Sequence, residues 1–179
     1  MNYWDCMATN FERVVEFNTA AGVVTARNAQ STESGLDALS HSCTLGAALI
    51  YEECQELLTA ITRRDSSAIV DAIGDILYVT YGFGHRLGVD VDAVFAEIHR
   101  SNMTKFCTSE DEARATVTWY RTNENESKRY PNVDYVRRSE NCWVVTDTET
   151  GKVLKSVLYS PPHLQHPEQP HPTDSPDLD

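Results

Sequence analysis

Two aspartates one helical turn apart, Asp71 and Asp75, interrupt the least polar stretch of the chain, IVDAIGDILYV, and the earlier stretch YEECQE carries Glu52, Glu53 and Glu56. Residues three and four apart share a helix face, so Glu52 with Glu56, Glu53 with Glu56, and Asp71 with Asp75 each project together. Neither aspartate lies in a first turn, where it would serve as a cap. A carboxylate stranded on an apolar helix face costs on the order of several kcal/mol in lost hydration. Two such helices are therefore expected to pack with their acidic faces together, as an oxygen-lined cage that is either protonated or filled by a hard divalent cation, Mg²⁺ or Mn²⁺. Metal on a small acidic protein points to phosphate chemistry.

Charge narrows the partners. The chain carries 15 Lys and Arg against 27 Asp and Glu, a net charge of −12, so a nucleic-acid polymer or an anionic membrane surface would be repelled. A phosphate substrate must then bind through metal. The five cysteines, Cys6, Cys43, Cys54, Cys107 and Cys142, are odd in number and show neither CxxC nor Cys/His zinc spacing, which predicts reduced thiols in a cytoplasmic protein. No run has the length and apolarity of a signal peptide or a membrane span. With 179 residues and 41% hydrophobic content, the chain has material for one helical domain and a small appendage.

Periodicity orders the elements. Phe11, Val14, Val15 and Asn18 share one face of a first helix from about Asn10 to Thr19, ending before Gly22. The polar, small-residue stretch from Ala26 to Ser40 reads as a loop with a helical turn near Leu36 to Leu39. A second helix spans Cys43 to Arg63, with Ile50, Cys54, Leu57, Leu58 and Ile61 as its buried stripe. Ser66 or Ser67 caps a third, central helix that runs to Arg86 and stops at Gly88. Asp90 caps a fourth, with Val91, Val94, Phe95 and Ile98 as its apolar face and Asn102 and Lys105 at its end. Thr108 and Ser109 precede Asp111 and Glu112 in a capping-box pattern for a fifth helix carrying Ala113, Val117 and Tyr120. Beyond it the period changes to that of short strands, 135–137, 143–146 and 152–157, with 147–151 as a turn. Pro161 to Asp179 holds six of the seven prolines, four acids and no Lys or Arg, the composition of a disordered tail.

The segments LIYEECQELLTAI and DAIGDILYVTYGFGHRLGVDVDAVFAEIHRSNMTK, covering about residues 45 to 105, resemble the MazG-like all-α nucleoside triphosphate pyrophosphohydrolases. That superfamily also includes dimeric dUTPases and phosphoribosyl-ATP pyrophosphohydrolase. The piece WVVTDTETGKVLKSVLYSPPHL looks like the appendage of some bacterial and phage members. The resemblance implies a mainly α fold: a MazG-like four-helix bundle in residues 1–106, a fifth helix and small β-hairpin appendage in 107–160, and the tail 161–179, in an oligomeric protein.

The family pattern is ExxE on one helix and ExxD on the next. Glu53 and Glu56 match the first pair and Asp75 the final aspartate, while Ala72 stands where the second helix usually carries glutamate. Asp71, one turn before Asp75, is then the substitute ligand, and the number of metals is left open. Glu52 matches the extra acid of the EExxE variant and is the candidate for positioning or deprotonating the attacking water. The implied reaction is hydrolysis of a nucleoside triphosphate between its α- and β-phosphates. Lys105 and Asn102, on the matched NxxK, would contact the outer phosphates. The first helix becomes a base-recognition wall, with Phe17 to stack and Asn18 to present donor and acceptor. Tyr78, three residues after Asp75, is placed to order a phosphate or a water.

Each residue also has a plainer reading. A glutamate cluster on a helix is usually a solvated face, Lys105 would complement a helix dipole, and Tyr78 and Phe17 would pack. His85 and His99 lack carboxylate-rich neighbours at metal spacing and read as structural, and the tail histidines are too scattered for a site. Two alternatives stay open: phosphoribosyl-ATP as the substrate, or a non-catalytic divalent-metal-binding bundle, although such bundles carry ExxH pairs that the motif helices lack. The base, whether of dUTP, dCTP or dGTP, depends on a few hydrogen bonds that sequence does not locate. Self-association as a homodimer or a dimer of dimers is expected, because one helix pair cannot bury its own apolar faces.

Overall fold

The computed structural model describes residues 8–29 and 32–164. Among these, the chain is mainly helical, with six helices and one two-stranded antiparallel sheet. It divides into two compact units at residues 94/95, inside the fourth helix. Each unit has its own logic.

In the first unit, α1 (Asn10–Ala20) starts with a capping box: the Thr9 hydroxyl accepts from the Glu12 amide, and the Glu12 carboxylate accepts from the Thr9 amide. It ends before Gly22, which adopts the left-handed conformation at φ 68°. Next comes α2 (Glu33–Arg63), ten residues longer at its start than periodicity predicts. The stretch expected to be a loop from Ala26 to Ser40 is helical from Glu33 onward. Thr32 caps it through the Gly35 amide, and no proline interrupts 33–42, so a helix nucleated there propagates at little cost per residue.

Helix α3 (Ser66–Arg86) packs against both α1 and α2, so it is the middle of a three-helix layer. Its cap is Asp65, whose Oδ1 accepts from the Ser67 and Ala68 amides at 3.1 Å, not Ser66 or Ser67. Gly46 sets how closely α2 and α3 approach: a Cβ there would lie 2.9 Å from Arg86 Cδ and from Phe83 Cδ2. Beside it, buried Arg86 donates to Ser42 Oγ at 2.6 Å, and Ser42 donates to the Val24 carbonyl at 2.7 Å. This latch ties α3, α2 and the intervening loop.

The layer is thin. Its fully buried apolar residues, Val14, Ala60 and Ala72, are mostly small, while Val70, Ile73 and Leu77 on α3 and Leu58 and Ile61 on α2 are exposed. Leu58 and Ile61 were expected in the buried stripe of the second helix. Only Ile50, Cys54 and Leu57 of that stripe are partly buried, and the fully buried positions of α2 are Ser42, Gly46 and Ala60.

The fourth helix, α4 (Val91–Met103), is capped by Asp90 through the Ala93 amide. In the second unit, α5 (Glu110–Thr122) is capped by Ser109, and Glu112 reaches back to the Thr108 amide, close to the box expected. A short α6 (Glu124–Arg129) follows, unpredicted, capped by Asn123. Strands β1 (Val133–Ser139) and β2 (Cys142–Asp147) pair antiparallel, with Tyr135 opposite Val145 and Arg137 opposite Trp143. The third strand expected at 152–157 is reduced to a single bridge between Thr146 and Val153. Ala113, Val117 and Tyr120 of α5 close over Val133, Val145, Leu154 and Cys107 as one core. Of the expected disordered tail, residues 161–164 are described and engage α4; 165–179 lie outside the described residues.

Candidate functional site

The acidic cluster is a product of the α2–α3 pairing. Glu52, Glu53 and Glu56 occupy the central turns of α2, and Asp71 and Asp75 the first half of α3. Burial and then the neighbouring charges of Glu56, Asp75, Glu52 and Asp71 push the Glu53 carboxyl above the usual carboxylate range. The charges of the other four carboxylates predicted from sequence thus all bear on Glu53. Ala72, at the position where the family pattern has glutamate, is buried, and Asp71 beside it is exposed.

The expected cage is not closed. Among the described residues, no three His, Cys, Asp or Glu side chains sit together at metal-holding spacing. Like charges favour spread rotamers, and the long glutamate side chains have the freedom to spread. The donor set remains all-oxygen, accessible and crowded with charge, which suits a hard divalent cation and no softer metal. Glu53 and Glu56 of α2 with Asp71 and Asp75 of α3 are the residues that would hold it.

A cleft of about 350 Å³ runs beside the cluster. Glu52, Glu56 and Asp71 line one end, and Gln55, Thr59 and Arg63 continue it along α2. Sequence reasoning missed these last three. The signal was present, since 52, 56, 59 and 63 fall at spacings of four, three and four, one face of a helix. Arg63 places a cation at the end of an otherwise acidic groove.

A second cleft, of about 290 Å³, lies between α1 and α3 and is lined by Asn10, Arg13, Val14, Gly74, Leu77, Tyr78 and Tyr81. Gly74 immediately precedes Asp75, and a Cβ there would meet nothing within 4 Å, so the helix surface is open at that point. Tyr78 is half exposed and meets exposed Phe17 edge-on, ring centroids 5.8 Å apart. Tyr81 is held by a 2.8 Å hydrogen bond to Asp92, which raises its own pKa. Asn18 departs from expectation. It is buried, and its Nδ2 lies 3.3 Å from His85 Nδ1, so its amide is engaged inside the layer rather than presented to a ligand. Helix α1 turns Val14 and Asn18 inward together, four residues apart, and leaves Phe17 on the outer side.

Asn102 and Lys105 belong to the second unit. Asn102 is exposed in the last turn of α4, and Lys105 lies just past it in a tight turn closed by its amide to the Asn102 carbonyl at 3.1 Å.

The phosphoribosyl-ATP pyrophosphohydrolase family model matches residues 24–102, which spans α2, α3 and nearly all of α4. Over these residues, fewer than half of the chain, the sequence is similar to that family. Over 88% of this chain and 94% of its own length, an uncharacterized protein of Acanthamoeba polyphaga mimivirus, L479, is 25% identical. That coverage extends beyond the segment matched to the family model. Within the matched segment lie all five acidic residues and Asn102; Lys105 lies three residues beyond it and Phe17, Asn18 precede it. Members of the superfamily typically use divalent metal, in keeping with the hard oxygen donors on α2 and α3. No described helix is long and apolar enough to cross a membrane.

Proposed function

We propose that this chain hydrolyses a (deoxy)nucleoside triphosphate between the α- and β-phosphates, releasing a nucleoside monophosphate and pyrophosphate and so controlling a nucleotide pool. What supports the reading is the placement of Glu52, Glu53 and Glu56 on α2 and of Asp71 and Asp75 on the helix packed against it, with the charges of the other four raising the Glu53 pKa, inside the segment matched to a pyrophosphohydrolase family. Glu53, Glu56, Asp71 and Asp75 would hold Mg²⁺ or Mn²⁺, which would supply neutralisation of phosphate oxygens and a lowered pKa for the attacking water.

Glu52 lines the cleft beside that cluster and takes the proton from the water. Lys105 and Asn102 bind the outer phosphates, a charge-assisted and a neutral hydrogen bond respectively. Phe17 and Tyr78 form an aromatic pair beside a cleft of nucleobase dimensions and take the base against their rings. The fold is the four-helix bundle of the superfamily, completed by self-association as a dimer or a dimer of dimers. The exposed apolar residues of α2 and α3 support that assembly.

A second substrate, phosphoribosyl-ATP, is favoured by the description of the matching family model. Both substrates present the same triphosphate to the same residues. The deciding experiment is release of monophosphate and pyrophosphate from the eight common ribo- and deoxyribonucleoside triphosphates, and from phosphoribosyl-ATP, with Mg²⁺, with Mn²⁺ and with chelator. Metal-dependent turnover of one nucleoside triphosphate is expected. Turnover of phosphoribosyl-ATP alone would replace the substrate, and no turnover at all would leave a metal-binding helical layer without this activity.

A further inference from the structure

The cleft beside the acidic residues carries opposite charges at its two ends. Glu52, Glu56 and Asp71 line one, and Arg63, in the last turn of α2, lines the other. The cleft holds about 350 Å³, at the lower end of the range for small-ligand sites. Glu56 and Arg63 are two turns apart, about 10 Å along the helix axis. Long side chains on a helix lean toward its N-terminus, a direction that brings the Arg63 guanidinium back along the groove toward Glu56. These residues all belong to the first unit, on two helices that pack against each other, so the arrangement needs α2 and α3 alone.

Cations are scarce in this unit. Residues 1–94 hold Arg13, Arg27, Arg63, Arg64 and Arg86 as their Lys and Arg. Arg86 is buried against Ser42, and Arg13 lines the other cleft. Among the described residues that line the acidic cleft, Arg63 is the one cation. The ion pairs of the described residues, Arg100–Glu97, Arg114–Glu110 and Lys128–Glu124, do not include it. Nearby Asp65, also on the cleft wall, uses its Oδ1 to cap α3. The Thr59 hydroxyl donates to the Gln55 carbonyl at 2.8 Å. The side-chain donors left to the α2 wall of the cleft are therefore the Gln55 amide and Arg63.

We propose that Arg63 binds the pyrophosphate portion of the substrate and holds it as the leaving group. The inference rests on the reading that the acidic residues hold a divalent cation and that a triphosphate is cut between its α- and β-phosphates. A bare anion would be repelled from the acidic end of the cleft, and a bare cation gains nothing from the guanidinium. A polyphosphate chelated to Mg²⁺ matches both ends. In the reaction the water oxygen joins the α-phosphorus, and the bond from that phosphorus to the bridging oxygen breaks. The bonding pair leaves on pyrophosphate, and the water's proton goes to Glu52. Negative charge thus grows on the group beside Arg63, whose planar fork of donors can take two phosphate oxygens at once.

The test is calorimetric titration of the full-length protein with inorganic pyrophosphate in Mg²⁺, for the wild type, R63M and R63K, alongside titration with Mg²⁺ alone and thermal melts. R63M should weaken pyrophosphate binding at least about tenfold, the usual size of a charge-assisted hydrogen bond. Inhibition of turnover by added pyrophosphate should weaken by the same factor, while Mg²⁺ alone binds at least as tightly as to the wild type. R63K separates this role from a merely structural one. It should recover the melting temperature, since the α2 dipole needs only a positive charge, and only part of the pyrophosphate affinity, since an ammonium lacks the two-pronged contact. R63Q gives the same comparison should R63M not fold. Unchanged pyrophosphate affinity in R63M, equal weakening of pyrophosphate and Mg²⁺ binding, or no pyrophosphate binding by the wild type would each overturn the proposal. Failure of the proposed function has a different signature: no monophosphate from any nucleotide, with pyrophosphate binding still dependent on Arg63, which keeps the contact and removes the reaction.

Discussion

At the scale of single residues, the site trades stability for charge. Glu53 is partly buried among four other carboxylates, and both effects disfavour its ionised form. Glu53→Gln removes one charge from the cluster while keeping its volume. In metal-free buffer near neutral pH that variant should melt at a higher temperature than the wild type. It should also lose turnover and most of the rise in melting temperature that Mg²⁺ gives the wild type. A fully active E53Q would remove Glu53 from the mechanism. His85 provides the pH dependence. Burial first, then the charges of Arg27 and Arg86, hold its pKa below 6.5. The Asn18 amide donates to its Nδ1, which requires neutral imidazole. Because the folded value is depressed for a base, its contribution is complete above about pH 6.5 and is lost as pH falls through that value towards the folded one. The melting temperature should therefore drop from pH 7.5 to 5.5, and His85→Gln should flatten that slope. The carboxylates could be read from spacing alone, whereas the His85 contact to Asn18 joins positions 67 apart and leaves no periodic trace.

At the scale of elements, local chemistry was legible wherever a cap or a period marked it. Helices α1, α3 and α5 begin within a residue or two of the positions expected, where Thr9, Asp65 and Ser109 cap them, and α3 ends where expected because Gly88 stops its long apolar run. The start of α2 was hidden, since Glu33 to Ser42 is helix-compatible without an apolar stripe, and composition alone resembles a loop. The third strand failed for the opposite reason: 152–157 carries strand-favouring Val153 and Val157 after a turn, yet its Leu154 amide makes a single bond to the Val145 carbonyl before the chain leaves the sheet for Tyr120 and Thr116. The α2–α3 contact gives the sharpest element-scale expectation. Gly46→Ala gains roughly 1 kcal/mol of helix propensity. Its Cβ, however, would sit 2.9 Å from Phe83 and from Arg86, whose guanidinium is already committed to Ser42. Overpacking of this kind costs about 1 to 3 kcal/mol. G46A should be net destabilised by about 1 kcal/mol in chemical denaturation, against the sign that propensity alone predicts.

At the scale of the whole molecule, the first unit leaves too much apolar surface uncovered for its charge to explain. Val70 is 70% exposed, Leu77 53%, and Ile73 48%, at spacings that put all three on one face of α3, and Leu58 and Ile61 extend the apolar surface on α2. Helices with such faces remain stable by burying them, and a second copy of the same layer would convert two thin sheets of helices into a bundle with a core. Each exposed Val or Leu covered in this way contributes about 1.5 to 3 kcal/mol. The acidic residues sit on the same two helices, so the proposed assembly and the proposed activity would be coupled through them. Sedimentation equilibrium of the wild type should give a dimer or a tetramer, and the double substitution V70E/L77E should give a monomer that melts at a lower temperature. Loss of activity in that monomer, with the Mg²⁺ response of its melting temperature reduced in parallel, is expected if packing of α2 against α3 needs the second copy to hold Glu53, Glu56, Asp71 and Asp75 together. A wild-type monomer with full turnover would show that the three-helix layer positions its carboxylates unaided.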